Sequence, residues 1–276
     1  MASFVDQVRA AGVVGAGGAG FPTHVKLASS VDTYICNAAE CEPLLYKDQE
    51  LMRLHAEEMV SGMRLAMEAT GATRGVIAVK AKYEEAIAAL ERCADGLEFH
   101  LFGSFYPAGD EYVVVHDVTG RLIPVGGYPM DVGCAVNNVE TFINLARAAE
   151  GTPVTRSSLT ITGAVANPCT VTVPIGVRCR DVLELAGGPT CDDPAVLDGG
   201  AMMGKHVPLD ALVTKTSGGY IVLPSDHTLI KRRTRTAQAN LTIAKSACDQ
   251  CTFCTEFCPR YLLGYAIEPH KVMRSV

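Results

Sequence analysis

Tryptophan is absent from the sequence, and aromatic residues of all kinds make up only 6% of its 276 positions. The core must therefore be built from aliphatic side chains. Basic residues are also in deficit, since 24 Lys and Arg face 30 Asp and Glu and give a net charge of −6. Without a basic surplus to neutralise phosphates, we expect no nucleic-acid partner.

Long apolar runs and targeting signals are missing as well. No stretch reaches the roughly 18 consecutive apolar residues that a membrane-spanning helix needs. The N-terminus, which begins Met1-Ala2-Ser3-Phe4, has no charged region followed by an apolar run, so we see no signal peptide. We expect a cytoplasmic protein in a reducing compartment, where clustered cysteines are typical of metal sites rather than disulfides.

Hydrophobic residues, by contrast, make up 48% of the chain against 20% charged residues, which excludes a disordered protein. The length lies near the upper end for one domain and favours two compact units. Cysteines number eleven, too many to be incidental, and four of them fall between Cys248 and Cys258. We interpret Cys36 and Cys41, which lie outside that group, as small buried apolar side chains.

The first unit, residues 1–152, alternates helical and strand-like patterns. This alternation predicts an α/β domain with a mostly parallel sheet. The segment 47–70 is predicted as one long amphipathic helix that ends at Gly71. The other predicted helices are 4–11, 84–93 and 137–149, and the predicted strands are 31–36, 75–80, 97–102 and 112–116.

The pattern changes after residue 152. Residues 153–228 hold short β-branched runs separated by Gly and Pro, with one short helix predicted at 181–186, which indicates a small α+β module. Residues 229–276 begin with a basic stretch, 231–235, interpreted as a solvated linker. The cysteine group follows that linker.

The spacing Cys248-x2-Cys251-x2-Cys254-x3-Cys258-Pro259 is the strongest chemical signal in the sequence. It matches the run that holds a [4Fe–4S] cluster in bacterial ferredoxins, and soft thiolates select iron–sulfur or zinc over hard cations. A structural zinc site would use two C-x2-C pairs set well apart, so we favour iron–sulfur. In two-cluster ferredoxins the fourth cysteine binds the other cluster. Either a distant cysteine completes the site or the sequence ends inside a ferredoxin-like module, and we favour the latter.

The loop Gly15-Ala16-Gly17-Gly18-Ala19-Gly20 formally contains G-x-G-x-x-G. A dinucleotide site needs a strand before this motif, and the preceding residues look helical, although Glu40 lies about 20 residues further on. Alternatively, the loop is a nest of backbone N–H groups that cradles a phosphate, with Lys26 as a nearby cation. An ordinary structural turn is the third interpretation.

Four segments in the same order resemble the FMN-bearing, NADH-oxidising subunit of respiratory complex I. They are Gly-Gly-Ala-Gly-Phe-Pro-Thr at 17–23 with Lys26, Cys-Asn-Ala-Ala-Glu-Cys-Glu-Pro at 36–43 followed by Lys47-Asp48, Tyr-Pro-Ala-Gly-Asp-Glu at 106–111, and Asn-Asn-Val-Glu-Thr at 137–141. Residues 37–52 and the order of modules are more similar to the C subunit of the Rnf electron-transport complex and to the cobalamin reductases of propanediol-utilisation microcompartments. Because the flavin loop starts at residue 15, with no preceding domain, the cobalamin reductases are favoured.

The resemblance implies a Rossmann-like FMN-binding domain at 1–152, a β-grasp (SLBB-like) ligand-binding module at 153–228 and a truncated ferredoxin-like segment at 229–276. It implies electron flow from NADH through FMN and [4Fe–4S] centres to cobalamin, with no side chain acting as nucleophile or general base. The implied partners are NADH, cobalamin or a cobalamin-handling enzyme, and a shell protein of a bacterial microcompartment. Two alternatives remain: an electron-transport subunit of an Rnf-type complex, and a non-catalytic subunit that docks corrinoid or shell protein.

The resemblance also assigns site residues. The FMN phosphate would be held by Gly15, Gly17, Gly18, Gly20 and Lys26. The ribityl chain and ring would meet Asn37, Glu40, Gly109, Asn137, Asn138 and Thr141. The nicotinamide nucleotide would face Phe21, Glu42 and Glu111, and the cluster would be bound by Cys248, Cys251, Cys254 and Cys258.

Two departures from the complex I pattern bear on NADH. Ala39 stands where that relative has an acidic residue near the flavin, and Leu27-Ala28-Ser29 replaces an aromatic stretch that helps to enclose adenine. Flavin binding is therefore better supported by the sequence than tight NADH binding.

Overall fold

The first sheet is parallel and has four strands. In the computed structural model, which describes residues 3–275, its strands are β1 (Thr33–Ala38), β2 (Arg74–Lys80), β3 (Glu98–Phe102) and β4 (Cys134–Asn138). Their order is β3-β2-β1-β4, and every neighbouring pair is parallel. The direction of winding therefore reverses between β1 and β4, and the Rossmann-like α/β fold predicted from the sequence is confirmed.

Helices cover both faces of this sheet. The helices and strands alternate in the chain, and the helices of this unit are α1 (Phe4–Ala10), α2 (Thr23–Leu27), α3 (Lys47–Leu54), α4 (Ala56–Thr70), α5 (Glu84–Glu91), α6 (Glu111–Thr119) and α7 (Val139–Ala149). Along β1, Tyr34 and Cys36 pack into the core under α4 and α7, whereas Ile35 packs into a second core under α6. This alternation is the two-residue period of a strand buried on both faces.

Three details of the predicted elements are wrong. The segment 112–116, predicted as a strand, lies inside helix α6, because the Asp110 side chain accepts hydrogen bonds from Tyr112 N and Val113 N and a left-handed Gly120 ends the helix. The predicted helix 47–70 is broken at His55, whose φ of −128° is not helical. Finally, residues 137 and 138 end strand β4, and the following helix starts at Val139.

The second sheet has five strands. They are β5 (Arg156–Gly163), β6 (Cys169–Pro174), β7 (Pro194–Asp198), β8 (Lys205–Val207) and β9 (Gly219–Pro224), with helix α8 (Cys179–Glu184) packed against them. The order β6-β5-β9-β7-β8 places the first and last strands side by side and parallel, and the other three neighbouring pairs are antiparallel. This is the β-grasp arrangement that the resemblance implied.

The C-terminal segment consists of short helices: α9 (Thr228–Arg233), α10 (Ala237–Ala247), α11 (Phe253–Glu256), α12 (Pro259–Leu262) and α13 (Pro269–Ser275). The basic stretch 231–235, interpreted as a linker, is partly helical within α9. None of the helices in residues 3–275 is long and apolar enough to cross a membrane.

The β-grasp sheet packs directly on the parallel-sheet unit. Glu140 at the start of α7 accepts a hydrogen bond from Ser158 N at 2.8 Å, and Tyr46 N donates to Thr160 Oγ1 at 3.0 Å. Leu45 is buried with apolar residues of β7 and β9. The β-grasp module is thus fixed beside the carboxyl end of the first sheet.

Candidate functional site

A cleft opens at the carboxyl ends of β1 and β4, where the strand order of the parallel sheet reverses. Open α/β sheets bind their ligands at this switch point. The cleft is lined by the predicted residues Gly17, Gly18, Asn37, Glu40, Glu42, Gly109 and Asn138, and also by Ala16, Ala39, Cys41, Leu45, Lys47, Asp48, Gly199, Thr216 and Gly218. Seven of the residues predicted to bind cofactor or nucleotide therefore lie together.

The glycine loop forms one wall of the cleft. It is closed by hydrogen bonds from Gly20 N to Gly15 O and from Gly15 N to Phe21 O, at 3.2 and 2.9 Å. Ala16 N donates to the buried Thr141 Oγ1 at 3.0 Å. The backbone N–H groups of Gly17, Gly18 and Ala19 make no hydrogen bond with any residue in 3–275. Successive unpaired backbone N–H groups in a turn are the donors from which anion-binding nests are built.

Close packing explains why glycines stand at two cleft positions. A Cβ atom at Gly17 would lie 3.3 Å from Asn138 Cβ, and one at Gly109 would lie 2.7 Å from the Ala39 carbonyl oxygen. The Gly109 carbonyl in turn accepts a hydrogen bond from Asn37 Nδ2 at 2.8 Å. A side chain at Gly109 would displace the backbone of the cleft wall, whereas one at Gly17 would press on the Asn138 side chain by a few tenths of an ångström.

A buried ion cluster lies beneath the glycine loop. Lys47 Nζ donates to Ala16 O and to Glu140 Oε2, both at 3.1 Å, and lies 3.9 Å from Asp48 Oδ1. Burial alone would lower the pKa of Lys47, but the surrounding carboxylates outweigh burial and raise it. Lys47 therefore remains a cation and neutralises part of the negative charge under the loop.

Glu40 and Asp48 share the remaining negative charge of this cluster. Asp48 N donates to Glu40 Oε2 at 3.3 Å, and Asp48 Oδ2 accepts from Asn138 Nδ2 at 2.7 Å. Burial, together with the charge of Asp48, raises the pKa of Glu40 from 4.5 to about 8. Asp48 Oδ1 is buried and has no hydrogen-bond partner in the described chain. A buried orphan acceptor beside a cleft is a site for a ligand donor.

Three predicted residues form a second group beside the cleft. Lys26 Nζ donates to Val136 O at 2.6 Å and lies 5.4 Å from the centroid of the Phe21 ring. Burial lowers the pKa of Lys26, and the charge of Glu111 opposes that change. The Phe21 ring packs on Tyr128 with a centroid distance of 5.8 Å. Phe21, Lys26 and Glu111 are therefore close to one another but do not line the cleft itself.

Glu42 holds a loop of the β-grasp module. Its two carboxylate oxygens accept hydrogen bonds from Met202 N and Met203 N, each at 2.7 Å. Arg233 Nη2 donates to Ala201 O in the same loop at 3.0 Å. Glu42 lines the cleft as predicted for a nucleotide contact, and the loop uses one acceptor site on each of its carboxylate oxygens.

Two other predicted residues support the cleft from behind. Asn137 is buried, and its Nδ2 donates to Tyr34 OH at 3.0 Å on the face of the sheet that α4 and α7 cover. Thr141 is completely buried and holds Ala16. Both residues therefore lie behind the wall of the cleft rather than on its surface.

The cleft fits FMN. The three free N–H groups of the glycine loop suit its phosphate, and the orphaned Asp48 oxygen and the Asn37 and Asn138 amides suit its polar chain. In the sequence, Lys47 and Asp48 stand out only as neighbours of the second matched segment, and no local pattern indicates the β-grasp contribution from Gly199, Thr216 and Gly218. The interpretation of Cys41 as a buried side chain is wrong, because Cys41 is partly exposed and lines the cleft.

The four predicted cluster ligands lie on the loop and short helices after α10. All four thiols are free, with Cys251 and Cys254 exposed and Cys248 and Cys258 partly exposed. Gln250 and Thr252, on either side of Cys251, adopt left-handed backbone conformations. The donor set of four thiolates fits iron–sulfur chemistry. No three His, Cys, Asp or Glu side chains within residues 3–275 converge closely enough to hold a metal, so the thiols do not meet at one point.

Profiles of three known domains match the chain in the predicted order. The Nuo51 FMN-binding domain matches residues 8–147, the SLBB domain matches residues 158–205, and a 4Fe-4S dicluster domain matches residues 247–276. These matches confirm the predicted sequence of modules, and they support FMN and an iron–sulfur cluster as the cofactors.

Among curated proteins, the chain is similar to two proteins named cobalamin reductase PduS, from Citrobacter freundii and Salmonella typhimurium. Each is 52% identical over 274 residues, which cover 98% of this chain and 61% of the relative. The C subunit of the Na+-translocating ferredoxin:NAD+ oxidoreductase complex of Acetobacterium woodii is 37% identical over 262 residues, covering 91% of this chain and 56% of the relative. The chain thus spans less than two thirds of the length of these relatives.

A solved structure has the same fold. One chain of the NAD+-reducing [NiFe]-hydrogenase in its air-oxidized state superimposes with a TM-score of 0.74 at 26% identity, covering 98% of this chain and 51% of that chain. The fold, the glycine-loop cleft and the profile match over 8–147 all indicate the same family. The chain belongs to the family of the Nuo51 FMN-binding domain.

Proposed function

We propose that the chain is the flavin- and cluster-binding part of a reductase that passes electrons from NADH to cobalamin. The observation that carries the proposal is the cleft beside a glycine loop with three free backbone donors, in a chain 52% identical to proteins named cobalamin reductase PduS. The proposed domains are an FMN- and NADH-binding unit at 1–152, a β-grasp module at 153–228 and a ferredoxin-like segment at 229–276.

The residues of the cleft have distinct proposed roles. Gly17 and Gly18 bind the FMN phosphate through their N–H groups, while Gly15 and Gly20 shape the loop and Thr141 holds it in place. The ribityl chain and ring contact Asn37, Glu40, Gly109 and Asn138, with Asn137 behind them. Phe21, Glu42 and Glu111 face the nicotinamide nucleotide. Lys26 is the proposed cation near the FMN phosphate, and its ammonium nitrogen lies 5.4 Å from the centroid of the Phe21 ring, which directly follows the glycine loop.

Once bound, FMN supplies the conversion between a two-electron hydride donor and one-electron iron–sulfur carriers. The chain itself supplies binding, orientation and charge. Lys47 offsets the carboxylates below the cleft, and the β-grasp residues Thr216 and Gly218 contribute to the cleft lining. Cys248, Cys251, Cys254 and Cys258 are the proposed ligands of the iron–sulfur centres.

The cellular setting is proposed from the resemblance to the cobalamin reductases. The protein would act in the cytoplasm inside a bacterial microcompartment, with cobalamin or a cobalamin-handling enzyme as its acceptor. A shell protein is a further proposed partner. A second function, electron transport in an Rnf-type complex, is favoured by the 37% identity to the Acetobacterium woodii protein.

The test is a spectroscopic titration of anaerobically purified protein. We expect visible flavin absorbance that bleaches on addition of NADH, followed by reduction of added cob(III)alamin. A variant with Cys251→Ser and Cys254→Ser serves as the control, since its flavin should still bleach while cobalamin reduction is lost. A flavin that bleaches without reducing cobalamin in the parent would favour the Rnf-type function. A colourless protein without affinity for FMN would leave only the non-catalytic docking function.

A further inference from the structure

The C-terminal cysteine segment, residues 248–275, is held to the flavin-binding unit by few contacts. Within it, helices α12 and α13 bury no residue, and α11 buries only Thr255. The segment therefore has no hydrophobic core that could fix its position by itself. Its placement depends on individual polar and aromatic contacts with the parallel-sheet unit.

The strongest of these contacts is an ion pair. Arg260 Nη1 donates to Asp110 Oδ1 at 2.6 Å, and Arg260 Nη2 donates to Asp110 Oδ2 at 2.9 Å. Two parallel hydrogen bonds of this kind fix both the distance and the orientation of the partners. The guanidinium carbon also lies 4.0 Å from the centroid of the Tyr112 ring, so a cation–π contact adds to the pair.

A second contact lies beside this pair. Tyr265 OH donates to Ile123 O at 2.5 Å, and the Tyr265 ring meets Tyr112 edge to face with a centroid distance of 5.8 Å. Arg260 and Tyr265 therefore both contact Tyr112 of helix α6. Together they link residues that are about 150 positions apart in the sequence.

One partner of the ion pair, Asp110, lies next to the wall of the flavin cleft. Asp110 caps helix α6 through its bond from Tyr112 N at 3.0 Å, and it directly follows the cleft residue Gly109. On the other side of the pair, Arg260 lies two residues after the predicted ligand Cys258. The Arg260–Asp110 hydrogen bonds, with a few backbone bonds on either side, therefore connect the cysteine run to the cleft wall.

We propose that Arg260 is a positioning residue, whose ion pair with Asp110 holds the cysteine segment at the edge of the flavin cleft and so sets the path of electrons between them. The inference rests on the proposed function. Arg260 does not line the cleft, so breaking the pair leaves reduction of the flavin by NADH intact. Passage of electrons, one at a time, from the reduced flavin to the oxidised cluster becomes slower.

The experiment compares four variants of the full chain. Arg260→Gln removes the charge, Arg260→Lys keeps it without the bidentate geometry, and Asp110→Asn removes the opposite charge while keeping a good helix cap. Arg274→Gln, at an exposed arginine of the same segment, is the matched control. Amide hydrogen exchange over 253–275 is measured without NADH, and rapid mixing with NADH then follows flavin bleaching and cluster reduction separately.

We expect exchange to be about three- to tenfold faster in Arg260→Gln and in Asp110→Asn, from the typical strength of a partly exposed ion pair with a cation–π contact. The exchange rate of Arg260→Lys should lie between those of these variants and that of the parent, and the exchange rate of Arg274→Gln should equal that of the parent. The rate of cluster reduction should decrease in the same order across the variants. The rate of flavin bleaching and the iron content should not change.

Unchanged exchange and cluster reduction in both Arg260→Gln and Asp110→Asn would overturn the inference. So would slow cluster reduction confined to Arg260→Gln together with a loss of iron, since that result would mean a ligand-loop defect instead. If the flavin of the parent does not bleach with NADH, the proposed function fails, whereas hydrogen exchange still decides whether Arg260 holds the segment.

Discussion

Replacing Lys47 with methionine should destabilise the protein strongly, because it removes the cation from a buried cluster of carboxylates. Lys47 Nζ lies 3.1 Å from Glu140 Oε2 and 3.9 Å from Asp48 Oδ1, with all three side chains at least 93% buried. Removing one partner of a buried pair costs about 3–5 kcal/mol. For a chain of this size that loss corresponds to a fall in melting temperature of roughly 6–20 °C.

Thermal and denaturant unfolding at two pH values test this prediction. Burial raises the pKa of Asp48 and the charge of Lys47 opposes that change, so removing Lys47 raises this pKa further above its unfolded value. Stability from such a group is present at low pH and is lost as the pH rises, so the defect of Lys47→Met should be larger at pH 8 than at pH 5. Lys245→Met, at an exposed helical position, is the control and should change stability by less than about 0.5 kcal/mol. A Lys47→Met loss below about 1 kcal/mol, or one equal at both pH values, would refute the reasoning.

Three further predictions concern other parts of the site and core. The pKa of Glu40 is raised from 4.5 to about 8, so the free energy of unfolding of the parent should fall by on the order of a few kcal/mol as the pH rises through that range. In denaturant titrations, Glu40→Gln should not show this fall. Parallel plots of unfolding free energy against pH for the two proteins would contradict the prediction. Gly17→Ala should weaken FMN binding roughly tenfold, about 1.4 kcal/mol, while the melting temperature of the apo-protein stays unchanged. If calorimetry gives the same FMN affinity for the variant and the parent, the glycine loop is not the phosphate site. Gly62→Ala should cost about 3 kcal/mol, because its Cβ would lie 1.9 Å from the Phe142 carbonyl oxygen where α4 crosses α7. Gly103→Ala, with no atom within 4 Å, is the neutral control for Gly62→Ala, and equal effects of the two would contradict the packing argument.

The sequence was most informative where local pattern and global fold agree. Strands 75–80 and 97–102 were predicted to within a residue, because both are short apolar runs between clear helical segments. The glycine loop and residues 37–42 were assigned by their resemblance to a known family, and they do line one cleft. The matched segments identified the region of the cleft but not its exact lining, because Asn137 and Thr141 lie behind the wall and Phe21 lies beside it.

The errors have physical causes that the sequence pattern does not contain. The run Tyr112-Val113-Val114-Val115 has high β-propensity, but capping by Asp110 and burial of the valines under the sheet make it helical. The break at His55 changes the backbone of a single residue and leaves the apolar period on both sides intact. Asn137 alternates with Asn138 across the pleat of β4, so only one of these two adjacent amides reaches the cleft.

Contacts between modules were the least predictable feature. Glu42 contacts Met202 and Met203, about 160 residues further along the chain, and no local pattern specifies such a pairing. The same holds for Thr216 at the cleft wall and for the bond between Arg260 and Asp110. These contacts depend on how complete modules pack, which a single sequence does not state.

The most direct test of the central claim is a crystal structure of this chain with FMN bound. The account predicts the phosphate within hydrogen-bonding distance of the N–H groups of Gly17, Gly18 and Ala19, with the rest of the cofactor against Asn37, Gly109 and Asn138. FMN bound elsewhere, or bound in the cleft with those three N–H groups still without a partner, would contradict it.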